Sequence, residues 1–79
     1  MRKKTKQLVI TFSTTTAAMA MEKRAQEMGI SGRLIPLPSE ISAGCGLSWK
    51  TKSEEKEKML VFLEEEKLKW EAMYELELY

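Results

Sequence analysis

The sequence predicts an α+β domain of the ferredoxin-like kind: a βαββαβ plait with a four-stranded antiparallel sheet and two helices on one face. Three observations carry this. A short apolar run opens the chain, strict apolar–polar alternation closes it, and two segments between them repeat apolar residues at helical spacing. Placed in chain order these make two split β-α-β units, and right-handed crossovers then put the first and third strands in the middle and the second and fourth at the edges. Residues 1–79 form one such domain, with the basic residues 1–6 as a flexible lead.

Each element follows from its residues. Gln7 to Phe12 places Leu8, Ile10 and Phe12 on one strand face and Val9 and Thr11 on the other, and two apolar faces mark a central strand. Ser13 and the threonines after it can accept hydrogen bonds from the free amides of a helix start. That helix carries Ala17, Ala20, Met21, Ala25 and Met28 on its apolar stripe, shows Glu22, Lys23 and Gln26 to solvent, and stops at Gly29. Arg33 to Leu37 is a second strand, and because Pro36 and Pro38 donate no amide it belongs at an edge. Leu47 and Trp49 alternate with Ser48 and Lys50 in a third. Ser53 caps a second helix opened by Glu54 and Glu55, with Met59, Leu60 and Leu63 as its buried stripe and an end near Glu66. In the last strand Leu68, Trp70, Ala72, Tyr74, Leu76 and Leu78 form the buried face, against a wet face of Lys67, Lys69, Glu71, Met73, Glu75 and Glu77.

Composition removes several chemistries. The chain has one Cys and no His, so it forms no internal disulfide, no Cys/His zinc site and no Ser-His or Cys-His nucleophile pair. Its net charge of +1 hides an asymmetry. Residues 1–52 hold nine Lys/Arg and three Glu, whereas residues 53–79 hold four Lys and nine Glu. In a compact domain this reads first as two oppositely charged faces. The basic start lacks the apolar stretch of a secretory signal, and no window reaches the 18 or so apolar residues of a membrane span, so the expectation is a soluble cytoplasmic protein whose thiol stays reduced. Glu64, Glu65 and Glu66 fan around a helix and read as a solvated end rather than a metal site. Met19, Met21, Met28 and Met59 read as core filler. An RNA-reading plait needs two or three aromatics on its sheet, and Trp49 has only Phe12 beside it, so nucleic acid is not an expected partner.

Chemistry centres on Cys45, within Ser42-Ala43-Gly44-Cys45-Gly46. Gly44 and Gly46 allow positive φ and leave amides unshielded, an arrangement that can stabilise a thiolate or persulfide. A free Cys is equally at home as a small buried hydrophobe, and Gly-Cys-Gly alone does not decide between them.

The stretch from Arg33 to Leu47, Arg-Leu-Ile-Pro-Leu-Pro-Ser-Glu-Ile-Ser-Ala-Gly-Cys-Gly-Leu, resembles the signature of the Putative Se/S carrier protein-like family, small bacterial proteins with a Pro-x-Pro, an Ile-Ser and a Cys-Gly ahead of the third strand. The likeness extends to Ile10-Thr11-Phe12, Glu22-Lys23 and the closing Gly29-Ile30. It implies that sulfur or selenium attaches at Cys45. Family members often carry Arg after the Pro-x-Pro, where this chain has Ser39, which leaves Arg33 and Lys50 as the cations to support the thiolate if they share its face. Ser13 and Thr14 stand where other sulfur carriers place a Cys-Pro-x-Pro. The resulting expectation is a carrier without independent catalysis or cofactor. It takes a sulfur or selenium atom on Cys45 from a donor such as a cysteine desulfurase and passes it to an acceptor protein. The other reading is a small interaction or regulatory module in which Cys45 only packs. Two edge strands leave pairing into a homodimer open.

Overall fold

The computed structural model describes residues 5–41 and 45–78. Its elements are β1 (Thr5–Thr11), α1 (Thr15–Met28), β2 (Arg33–Pro36), β3 (Leu47–Lys52), a 3-10 turn (Ser53–Glu55), α2 (Lys56–Glu65) and β4 (Ala72–Leu78). The strands form one sheet in the order β2-β3-β1-β4, every neighbouring pair antiparallel. This is the ferredoxin-like plait, with β1 and β3 central. Pro36 closes the edge strand β2, where a missing amide donor costs the ladder little. Thr5 and Lys6 belong to β1 rather than to a flexible lead. Residues 1–4 lie outside the described residues.

One core holds the layers together. Leu8, Ile10 and Phe12 at β1 and Trp49 of β3 meet Ala18, Met21 and Ala25 of α1 and Met59, Phe62 and Leu63 of α2. Both helices therefore cover the same sheet face. At the start of α1 the Thr14 hydroxyl accepts the Ala17 amide at 3.1 Å, and at its end Gly29 takes φ 69° and returns its amide to the Ala25 carbonyl. The buried stripe of α1 runs through Ala18, so Ala17 is only partly covered and Ala20 is exposed. Met21 and Met59 fill the core as expected. Met19 and Met28 do not, being 58% and 53% exposed, and Met28 lines a groove between the helices with Ile30 and Val61.

The second helix starts later than its sequence indicates. Ser53 opens the 3-10 turn, makes no capping bond, and leaves its hydroxyl buried without a partner. Starting the α-helix at Lys56 turns Phe62 inward beside Met59 and Leu63 and leaves Leu60 38% exposed. Glu66 is not merely solvated. Its carboxylate accepts from Arg24 Nε at 2.8 Å and from Arg24 Nη2, while Arg24 Nη1 reaches Glu27 at 2.8 Å. Hydrogen bonds to Glu66 first and Glu27 second push the Arg24 guanidinium still higher than its usual range. This ties the middle of α1 to the end of α2.

β4 keeps its alternation with the faces exchanged. Met73 stands opposite Ile10 and Glu75 opposite Leu8, so these point to the helix side, and Met73 packs on the core. Ala72, Tyr74, Leu76 and Leu78 lie instead on the face away from the helices, the open face, although Val9, Thr11 and Ser48 on that face are themselves fully buried. Leu68 does pack on the core, but from a turn before the strand, and Trp70 is 38% exposed. The cause is the exit from α2. Lys67 takes φ 54°, the Leu68 amide bonds the Leu63 carbonyl at 3.0 Å, and the Glu71 amide bonds the Thr11 carbonyl at 2.7 Å, which sets Ala72 opposite Thr11. A one-residue change of register sends every side chain of a strand to the other face.

Candidate functional site around Cys45

Cys45 enters through the connection from β2 to β3. Among the described residues, three backbone bonds shape that connection: Leu37 N–H to the Gly46 carbonyl at 2.9 Å, Ile41 N–H to the Pro38 carbonyl at 3.0 Å, and Cys45 N–H to the Phe12 carbonyl at 3.1 Å. The last ties Cys45 to the end of β1, just before the cap of α1. Gly46 takes φ 89°, and a Cβ there would meet nothing within 4 Å, so conformation rather than space requires glycine. Ser42 and Gly44 lie outside the described residues.

The Cys45 residue is half-buried and its thiol is free. It packs at the margin of the helix-side core with Leu47 and Leu34. The thiol is thus neither sealed within the core nor fully displayed. Among the described residues, no group of His, Cys, Asp and Glu gathers that could hold a metal ion.

Arg33 and Lys50 come together, but not at Cys45. They are direct partners across β2 and β3. Lys50 follows Trp49, whose ring enters the helix-side core, so both cations lie on the open face, and about 10 Å of strand separates Lys50 from Leu47. The lysines at the Cys45 end are Lys67 and Lys69. They line a groove of about 330 Å³ with Thr14, Ala17 and Leu68 at the start of α1. Their place was hidden in the sequence because it depends on the α2 exit, which brings Glu71 to one side of the β1 end while Cys45 takes the other.

These features define a ferredoxin-like domain with one half-buried thiol on a glycine-flanked turn beside the first helix start. The chain belongs to the family described as Putative Se/S carrier protein-like, whose family model matches residues 7–75. The match takes in most of β1, all of β2, β3 and both helices, and the first half of β4, and it includes Cys45. No curated protein and no solved structure matches the chain. Among the described residues no helix is long and apolar enough to cross a membrane.

Proposed function

We propose that this domain is a sulfur or selenium carrier and that Cys45 holds the atom in transit. The observation that carries the reading is the family match over residues 7–75 together with a free, half-buried Cys45 on a turn whose neighbour Gly46 contributes no side chain. The Cys45 thiolate attacks the terminal sulfur of a donor persulfide. The donor S–S bond breaks, a new S–S bond forms on Cys45, and the donor sulfur leaves as a thiolate. Oxidation state is conserved, since the transferred sulfur arrives and departs with the same electron count. An acceptor thiolate reverses the step, and selenium follows the same scheme as a selenosulfide.

The chemistry needs no resident cofactor, because bond breaking in the original amino acid is done by the donor, of the cysteine desulfurase class. A reducing compartment such as the cytoplasm keeps Cys45 available. Ser42, Gly44 and Gly46 are the residues expected to shape the turn around the sulfur. Arg33 and Lys50 enter this reading only through partner docking, since they occupy the other face of the sheet.

Intact-mass spectrometry after incubation with a cysteine desulfurase and cysteine tests the reading. Wild type gains the mass of one sulfur atom and Cys45→Ser gains none, with circular dichroism unchanged. A Cys45 that stays unmodified in the native protein, and is alkylated only after unfolding, would instead leave the domain as an interaction module with a structural thiol.

A further inference from the structure

The two edges of the sheet are not alike. β2 is four residues long, ends in Pro36 and opens on the exposed Arg33. Shortness, proline and a cation are devices that keep an edge from accepting another strand. β4 has none of them. It runs seven residues, Ala72–Leu78, in unbroken register with Thr5–Thr11, and contains no Pro, Gly, Lys or Arg. Among the described residues no strand pairs with its outer side. About half of its backbone amides and carbonyls therefore point away from the sheet without a strand to receive them.

Apolar surface gathers around this edge. Tyr74 is exposed on one face of β4, with Leu76 and Leu78 half-buried in the same row, and Trp70 is exposed at the entry to the strand. Leu60 supplies the other face. α1 lies over β2 and β3, which leaves α2 over β1 and β4. Glu57, Lys58 and Val61 line the groove on the α1 side of α2, so the exposed Leu60 stands on the opposite flank, above the free edge.

Charge then selects the occupant. The helix-side row of β4 carries Glu75 and Glu77, both exposed. Neither joins an ion pair among the described residues, although Lys6 stands across from Glu77. A second copy fits poorly, because two-fold pairing of β4 with β4 puts the glutamates of both copies in one row, where like charges repel. A strand with Lys or Arg in that row fits well. Its charged heads meet Glu75 and Glu77, and its aliphatic stems lie under Leu60.

We infer that β4 accepts a fifth strand from a partner protein, an extended segment in which Lys or Arg alternates with apolar residues. The basic side chains face α2 and the apolar ones continue the row of Tyr74 and Leu76. Backbone hydrogen bonds supply the affinity, and the alternating side chains supply the specificity. This edge does not use Cys45, so the inference and the carrier reading fail separately.

The test titrates the full chain into a fluorescein-labelled peptide of about eight residues, alternating Val and Lys, followed by anisotropy. The comparison peptides alternate Val and Glu, or replace a central Val of the first peptide by Pro. The Val/Lys peptide binds, and more weakly as salt rises; the other two do not. A chain carrying both Glu75→Lys and Glu77→Lys binds the Val/Lys peptide about tenfold more weakly and takes the Val/Glu peptide instead. Glu57→Lys with Glu65→Lys, the same change of charge on the α1 side of α2, keeps the original preference. Amide hydrogen exchange reads the geometry, with alternate β4 amides becoming protected when the peptide binds. Circular dichroism confirms that the variants fold, and the three peptides on the unaltered chain decide the matter where one does not. Absence of binding, equal binding of the Val/Glu or Pro peptide, a preference unmoved by the exchange at Glu75 and Glu77, or protection away from β4 overturns the inference. So does protection of the same β4 amides in the concentrated free protein, which would put a second copy on the edge.

Discussion

Gly32 offers the sharpest check on how the start of β2 packs against β3. It precedes Arg33, takes φ 120°, and sits so close to β3 that an added Cβ would lie 2.5 Å from the Lys50 carbonyl oxygen, 2.5 Å from Trp49 Nε1 and 2.8 Å from Trp49 Cε2. The carbonyl belongs to the sheet backbone and the indole is locked in the core, so neither neighbour yields cheaply. Gly32→Ala therefore adds backbone strain of roughly 1–3 kcal/mol. Forced overpacking adds roughly another 1–3 kcal/mol. The sum, about 4 kcal/mol, is a large part of the roughly 4–12 kcal/mol expected for a domain of this length. At roughly 4–8 °C per kcal/mol, a loss of about 4 kcal/mol lowers Tm by roughly 16–32 °C. Gly29→Ala is the control, because φ is 69° there but nothing lies within 4 Å of its added Cβ. Only the left-handed penalty of about 1 kcal/mol applies, a fall of about 4–8 °C. Thermal unfolding followed by far-ultraviolet circular dichroism measures both. If Gly32→Ala melts within a few degrees of Gly29→Ala, the close approach of Gly32 to Trp49 is refuted.

Two further outcomes bear on the sheet. Met73→Asp puts a carboxylate against the core and lowers stability by about 2 kcal/mol, whereas Tyr74→Asp on the open face costs about 1 kcal/mol or less; urea midpoints in the reverse order would show that β4 presents the other face. Thr51 Oγ1 is buried at 4% exposure without a hydrogen-bond partner, so Thr51→Val is neutral or stabilising by up to about 1 kcal/mol, and a clear loss in the same urea assay would reveal a partner for that hydroxyl.

What the chain states for itself is local. Thr14 ahead of an alanine-rich repeat, Gly29 after it, and prolines confined to the second strand specify a helix, its stop and an edge, because capping, left-handed φ and amide donation are properties of single residues. The order of elements then leaves the plait as the arrangement that pairs them. Cys45 was legible too, since it is the one thiol in the chain and lies within a recognisable string of residues. Which way β4 faces was not legible. Alternation fixes that Tyr74 and Leu76 share a side and Met73 and Glu75 share the other, but a two-residue period is the same read from either face. The choice rests on one backbone bond, from Glu71 to the Thr11 carbonyl, made by residues sixty positions apart in sequence. The same holds for α2, where the turn at Ser53–Glu55 rotates Phe62 inward and Leu60 outward. It holds again for the cations: only the pairing of Arg33 with Lys50 across β2 and β3, opposite Trp49, moves them from the thiol to the open face, because pairing between strands is a property of the assembled sheet and not of any segment within it.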